Sequence, residues 1–468
     1  MVRRTHTQVM ADNELFRLLN AAQHRLDEGF ADLPPAPAPP LDEHAAAILK
    51  EAATRLHDNY PYAHPLYAGQ MLKPPHPIAR AAYALAMSVN PNNHALDGGR
   101  ASSAMEIEAV AALAKMFHWP QHLGHLSSGG TFANLEALWV AGQLAPGKSV
   151  AASDQAHYTH SRISSVLGLP FVSIPTDNDG RMDLAALEHL LETESIGTVV
   201  VTLGTTAIGS VDPLDKIVWL QQRHKFRIHV DAAYGGYFTL ASNLSPEARA
   251  AYDAIAHADS IVVDPHKHGL QPYGCGAILF RDPAVGRFYK HDSPYTYFSS
   301  KELHLGEISL ECSRAGASAV ALWATQRLLP YTPGGTFAQG LESGRTAALE
   351  LNHRLAQSSD FFTPSAPPQL DIVFWAVRAE TPKKSSVLAQ QIFDEAARLD
   401  LHLALANLPV RFFPPNTWPD SEQTKTVTCL RSVLMKPEHL AWLDQIWGRI
   451  ESASQAVFLS IPPPNQPQ

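Results

Sequence analysis

The chain has 468 residues, of which 45% are hydrophobic and 17% charged, with a formal net charge of −9. That length allows two or three domains around a substantial core, and the composition is that of a globular protein. The acidic balance argues against nucleic acid as the main partner, and no apolar run reaches the roughly 18 residues that a membrane helix needs.

Residues 1–95 read as an N-terminal helical arm. Met1–Met10 carries basic residues without an apolar stretch behind them, so it does not read as a secretory signal. The run Leu33-Pro-Pro-Ala-Pro-Ala-Pro-Pro40 is expected to be extended, because proline breaks helices and favours polyproline geometry. It is either a linker or an arm that wraps a partner subunit.

From 96 to 330 the predicted elements alternate. Helices are expected at Ser103–Phe117, Phe132–Gly142, Asp183–Glu192 and Asp212–His224. Strands are expected at Ser149–Ala152, Thr198–Leu203, Arg227–Asp231, Ser260–Asp264 and Cys275–Phe280. This alternation predicts an α/β fold, a large domain with a mostly parallel central sheet covered on both faces. At Pro330, Pro333 and Gly334-Gly335 the pattern is punctuated. Helix Phe337–Leu355, strand Asp371–Val377, helix Ser385–Leu399, strand Val427–Leu434 and a last helix near Pro437 follow, a smaller C-terminal α+β domain over 331–468.

Five segments carry candidate chemistry. In Leu126-Ser-Ser-Gly-Gly-Thr-Phe-Ala-Asn134, small residues precede a helix. Ser128, Gly129, Gly130 and Thr131 could cradle an anion on backbone amides, helped by the helix dipole. An ordinary glycine loop with Thr131 as N-cap is the alternative. In Ser153-Asp-Gln-Ala-His157-Tyr-Thr-His160, the His157 imidazole could stack on an aromatic ring or be structural. Thr206, in Gly204-Thr205-Thr206, offers a hydroxyl at a strand end. In His229-Val-Asp231-Ala-Ala233-Tyr-Gly-Gly236, Asp231 ends a buried strand, where an unpaired carboxylate is costly. A protonated pyridine nitrogen would pair with it, Ala233 leaves room for a flat ring, and a turn-capping Asp is the alternative.

The fifth segment is Ser260-Ile-Val-Val-Asp-Pro-His-Lys-His-Gly269. Lys267 follows a buried strand, at the edge where α/β folds bind ligands. Burial lowers a lysine pKa and frees the amine to attack carbonyls. A surface lysine is the alternative, and His266 stands beside it. An anion cradle, a stacking ring, a buried carboxylate and an amine together match the needs of pyridoxal 5′-phosphate (PLP).

On these motifs, SSGGTFAN (127–134), SDQAHYT (153–159), GTT (204–206), HVDAAYGG (229–236) and DPHKHG (264–269), the chain resembles the group II PLP-dependent amino-acid decarboxylases of fold type I. The resemblance covers about residues 60–440. It implies a homodimer with active sites at the subunit interface. It implies that Gly129, Gly130 and Thr131 hold the phosphate near His266, that His157 stacks on the ring and that Thr206 touches it. It also implies that Asp231 pairs with the ring nitrogen and that Lys267 supplies the amine for the aldehyde. Leu310-Glu-Cys-Ser-Arg-Ala-Gly-Ala317, Ala321-Leu-Trp323 and Asp292-Ser-Pro-Tyr-Thr-Tyr-Phe298 look most like bacterial and archaeal tyrosine decarboxylases.

The family's mobile-loop tyrosine, which returns a proton to Cα, is matched by Tyr295 or Tyr297. A phenylalanine such as Phe298 at that position would favour an oxidative branch that gives an aldehyde. Tyr62, Tyr67, Phe298 and Trp323 are candidates for an aromatic-friendly pocket, or core. Arg431 is a candidate for a substrate carboxylate or for a structural salt bridge. The implied activity is decarboxylation of an L-amino acid, aromatic by preference, to the amine and CO2. Oxidative deamination, an acidic substrate, carbon–carbon lysis and a catalytically dead binding module are the alternatives.

Cys275, Cys312 and Cys429 form no CxxC pair or disulfide framework, so a reducing cytoplasm is the expected compartment. The histidines form no HExxH pair, and no GxxxxGK[ST] loop is present, so no metal site is expected.

Overall fold

Strands with buried faces organise the chain. The computed structural model describes residues 6–35, 37, 41–94, 96–290, 308–419 and 424–460. Tyr295, Tyr297, Phe298 and part of the proline-rich joint lie outside the described residues. The strands are β1 (Leu123–Ser127), β2 (Ser149–Ser153), β3 (Phe171–Ile174), β4 (Ile196–Thr202), β5 (Arg227–Asp231), β6 (Ser260–Val263) and β7 (Gly276–Phe280). They form one seven-stranded sheet in the order β1-β7-β6-β5-β4-β2-β3. Pairs β2–β3, β2–β4, β4–β5 and β5–β6 are parallel, and β7 runs antiparallel to both β6 and β1.

The centre of this sheet is buried on both faces. Every residue of β4, β6 and β7 is buried, as are Ile228–Asp231 of β5. That is why β4 and β6 read as continuous Val/Ile runs rather than as alternating ones, whereas β5, Arg-Ile-His-Val-Asp, alternates and still buries its polar His229 and Asp231. Parallel neighbours need crossovers, supplied here by helices such as Thr159–Val166 between β2 and β3 and Leu214–Arg223 between β4 and β5. The predicted strands all form, within two residues at each end. Sequence reading missed β1 and β3. β1 is Leu-Gly-His-Leu-Ser, without β-branched residues, and β3 is a four-residue edge strand.

A second sheet, with order β10-β11-β9-β8, is antiparallel throughout. Its strands are β8 (Phe361–Phe362), β9 (Ile372–Val377), β10 (Ala404–Pro409) and β11 (Thr426–Val433). The edge strand β10 was not anticipated. It ends in Pro409, which an edge tolerates because no ladder donor is needed there. Helices Pro382–Arg398 and Leu443–Ser460 bury Ile392, Ile446 and Ile450 against Trp375 and Leu430 of this sheet. The last helix starts at Leu443; Pro437–His439 is a single 3-10 turn ahead of it. Ile372, Val433 and Met435 join the main core with Val201 and Leu203, which ties the two sheets together.

The topology places four chain ends on one edge. β4, β5 and β6 are parallel, and β1 shares their direction because both flank the antiparallel β7. The carboxyl ends of β1, β4, β5 and β6 therefore converge, which is where open α/β sheets bind ligands.

Candidate active site

A cavity of about 460 Å³ opens at that edge. Ser128, Gly129, Gly130, Thr131, His157, Thr206, Asp231, Ala233, His266 and Lys267 all line it, so the sequence-derived cofactor residues come together in one place.

The cradle follows β1. Helix Gly130–Leu144 has Gly129 as its N-cap and no side chain capping it. Thr131 is therefore inside the first turn, not the N-cap. Uncapped first-turn amides and the helix dipole favour an anion here. Gly130 is required by crowding: a Cβ there would stand 2.8 Å from Asp264 Oδ2 and 3.2 Å from the Ala233 Cβ. The amide of Ser128 already donates to a carboxylate, Glu311 Oε2 at 2.9 Å.

Asp231 is the last residue of β5 and is buried. Its Oδ2 accepts from His160 Nε2 at 2.7 Å and from Asn134 Nδ2 at 3.3 Å, and its Oδ1 accepts from the Ala233 amide at 3.1 Å. Burial pushes the Asp231 carboxyl up, but the His160 contact and the Ala233 amide outweigh it and hold the group well below the usual carboxylate range. Behind Asn134, its Oδ1 lies 2.8 Å from His229 Nε2, and His229 Nδ1 lies 2.9 Å from Ser260 Oγ. Burial drives His229 down to about 3, so it is a neutral imidazole. With Asn134 Nδ2 donating to Asp231, Asn134 Oδ1 accepts from His229 Nε2–H, and Nδ1 accepts the Ser260 hydroxyl proton.

His157 is half-buried, with Nδ1 2.8 Å from Thr159 Oγ1. Burial lowers its pKa, which favours the neutral imidazole. The His266 ring lies 4.7 Å from that of Tyr273, and burial lowers its pKa as well. Thr206 is exposed on a turn whose carbonyls are held from behind: Arg431 donates to Thr206 O and Ala207 O, both at 2.7 Å. The free, buried amine expected at Lys267 is instead partly exposed, at 22%, and its Nζ pairs with Asp264 Oδ2 at 3.0 Å.

Other expectations need correction. Arg431 makes no salt bridge among the described residues. It is buried on backbone carbonyls and on Gln70 Oε1 and does not line the cavity. Tyr62 and Tyr67 pack on each other, Trp323 bonds Glu108, and none of the three lines the cavity; Tyr67 is buried, in line with the core alternative. Sequence reading did not single out Asn134, His160, His229 or Asp264 as site residues. A signal existed for His229, which lies two residues from Asp231 on a strand and so on the same face.

These groups fit PLP. Amides at an uncapped helix end suit its phosphate, the buried anionic Asp231 suits its ring nitrogen, and Lys267 suits its aldehyde.

Comparison with known proteins agrees in family and fold. Residues 139–377 match the pyridoxal-dependent decarboxylase conserved domain. The chain is 27% identical to the L-tyrosine decarboxylase of Enterococcus faecium over 471 residues, 76% of this chain and 77% of that one. It is 30% identical to a probable L-tyrosine/L-aspartate decarboxylase of Methanocella arvoryzae over 292 residues, 62% of this chain and 73% of that one. Its fold is similar to the crystal structure of Oryza sativa TDC with PLP and tryptamine, with a TM-score of 0.76, 19% identity and 96% of each chain covered. It is also similar to that of Rhodiola rosea 4-hydroxyphenylacetaldehyde synthase, with a TM-score of 0.74, 18% identity, and 97% and 99% covered.

Proposed function

The chain belongs to the pyridoxal-dependent decarboxylase family and is a PLP-dependent amino-acid decarboxylase, and on that premise we propose that its substrate is an aromatic, tyrosine-like L-amino acid, converted to the amine and CO2. The observation that carries the site assignment is the single cavity in which Lys267, Asp231, His157 and the Gly129–Gly130 cradle meet. The names of the relatives support the substrate class: L-tyrosine decarboxylase, and probable L-tyrosine/L-aspartate decarboxylase.

When bound, PLP supplies an electron sink that allows the bond from Cα to the carboxylate to break. The residues prepare that step. Gly130 and Thr131 would hold the phosphate on their amides, and Lys267 would supply the amine for the aldehyde. Asp231 stays ionised and would keep the proton on the ring nitrogen. The His157 ring, on the cavity wall, would pack on the bound pyridine and help to hold it in place. Tyr295 or Tyr297 returns a proton to Cα on this reading.

The active form on this reading is a cytoplasmic homodimer. Helix Glu43–Leu56 buries none of its residues and exposes Ile48, Leu49 and Leu56, an apolar face that a second copy would cover. All three cysteines are free, which suits a reducing compartment.

A panel of L-amino acids, read for CO2, amine and hydrogen peroxide, tests the proposal. Amine and CO2 from tyrosine or a related aromatic, without peroxide, are expected. Turnover of aspartate or glutamate alone would overturn the aromatic assignment, and peroxide with aldehyde would overturn the amine as product.

A further inference from the structure

A second cavity, of about 280 Å³, lies between the Lys73–Pro77 stretch, the first turns of helix Thr336–Gln357 and Lys436–Glu438. His268, next to Lys267 in sequence, lines this cavity and not the first.

Two of its polar groups are under-used amines. Lys73 Nζ donates to Met435 O at 3.3 Å, and Lys436 Nζ to Tyr67 O at 2.6 Å. An ammonium carries three donors, so each amine has donors to spare. Among the described residues neither amine has a carboxylate partner. Lys436 and His268 are almost wholly buried, and His268 Nδ1 has no hydrogen-bond partner among the described residues. Helix Thr336–Gln357 adds an N-terminus that no side chain caps, with Thr336 and Phe337 on the cavity wall. Glu438, the one carboxylate on the wall, is exposed. His76 also lines it, with Nδ1 accepting from the Ile78 amide, and the remaining wall is apolar, including Leu270, Leu329, Phe337 and Leu341.

Two amines with unmet donors inside an apolar wall call for one anionic head and a greasy body. The apolar lining disfavours a bare phosphate, which would lose its hydration without polar partners. The volume falls just below the roughly 300–1,000 Å³ of drug-sized ligand sites, so the ligand is small.

We propose that this cavity is a second ligand site, separate from the cofactor cavity, that takes a short aliphatic carboxylate, with its head on Lys73 and Lys436 and its chain against Leu270, Phe337 and Leu341. Electrostatics agrees. Burial drives Lys73 down to about 8, and burial with the Lys73 charge drives Lys436 down to about 7. Asp371 and Glu438 offset the shift at Lys73, and Glu438 that at Lys436, only in part. A bound anion supplies the missing counter-charge.

Calorimetric titration of the PLP-loaded protein with hexanoate tests this, with hexylamine as the opposite-charge control. Hexanoate is expected to bind and hexylamine not. Lys73→Met is expected to weaken hexanoate roughly tenfold or more, the worth of a hydrogen bond to a charged group. Gly340 is on the cavity wall, where an added Cβ stands 3.2 Å from the Pro437 ring, so Gly340→Leu narrows the cavity and is expected to abolish binding while thermal melting reports an intact fold. Lys267→Ala, in the other cavity, is expected to leave hexanoate binding as it was. Failure of hexanoate to bind, equal binding by Lys73→Met or by a folded Gly340→Leu protein, or loss of binding in Lys267→Ala would each overturn the proposal.

Discussion

His160 Nε2 stands 2.7 Å from Asp231 Oδ2, and both side chains are buried. The contact crosses from helix Thr159–Val166 to the end of β5 and fixes which way the carboxylate faces. Asp231 is therefore held ionised by hydrogen bonds, with no lysine or arginine ion pair among the described residues. On the proposed reading, its charge is aimed at the ring nitrogen by His160, a positioning residue.

His160→Ala should accordingly lower kcat by roughly 10- to 100-fold, the worth of one hydrogen bond to a charged group. The bound cofactor's absorbance should change its pH profile in parallel, because the ring proton loses part of its support. A kcat and spectrum equal to wild type would show that Asn134 and the Ala233 amide hold Asp231 alone.

The buried His229 gives stability a defined pH dependence. Its folded-state pKa is about 3, against an ordinary value near 6.5. Between those values the unfolded chain binds the extra proton, so this contribution is fully present above about 6.5 and is lost as pH falls toward 3. His229→Gln can keep both hydrogen bonds but cannot titrate. The stability advantage of wild type over the variant should shrink on going from pH 7 to pH 5, by up to about 1.4 kcal/mol per pH unit. Urea unfolding at the two pH values measures it, and a constant difference would refute the assignment.

The parts of this molecule legible in its sequence are those with a strong local signal. β4 and β6 are Val/Ile runs, β5 alternates as Arg-Ile-His-Val-Asp, and the glycine, Asp231 and Lys267 motifs sit at strand or helix ends, so topology alone carries them to one edge. What was not legible depends on contacts far apart in the chain. Asn134 reaches Asp231 across 97 positions and His229 across 95. Arg431 reaches Thr206 across 225 positions to bond a carbonyl, which no side-chain pattern announces. β1 was missed because its pairing with β7, not its propensity, makes it a strand.

Gly130→Ala tests the cradle. The new Cβ meets Asp264 Oδ2 and Ala233 at closer than normal contact, so either the helix start or Asp264 must shift. PLP affinity should fall roughly tenfold or more, since the phosphate amides move with the helix start. Gly448→Ala, where nothing lies within 4 Å, is the control and should leave affinity unchanged. It should also be neutral or stabilising, because alanine is the better helix former. Equal PLP affinity in Gly130→Ala and wild type, by fluorescence titration, would remove the cradle from this loop.

Arg431→Lys separates two roles for the buried guanidinium. Arg431 donates to the carbonyls of Thr206 and Ala207 with two different nitrogens, a fork that a lysine amine cannot reproduce. The variant leaves at least one buried carbonyl short of a donor, so stability should drop by about 1–3 kcal/mol in urea unfolding. Thr206 lines the cofactor cavity, and its turn should loosen with the lost contacts, which raises the PLP dissociation constant. A residue that instead gripped the substrate carboxylate would raise KM at unchanged stability and unchanged PLP affinity. The measured pattern therefore decides between them, and the buried, backbone-facing geometry predicts the first.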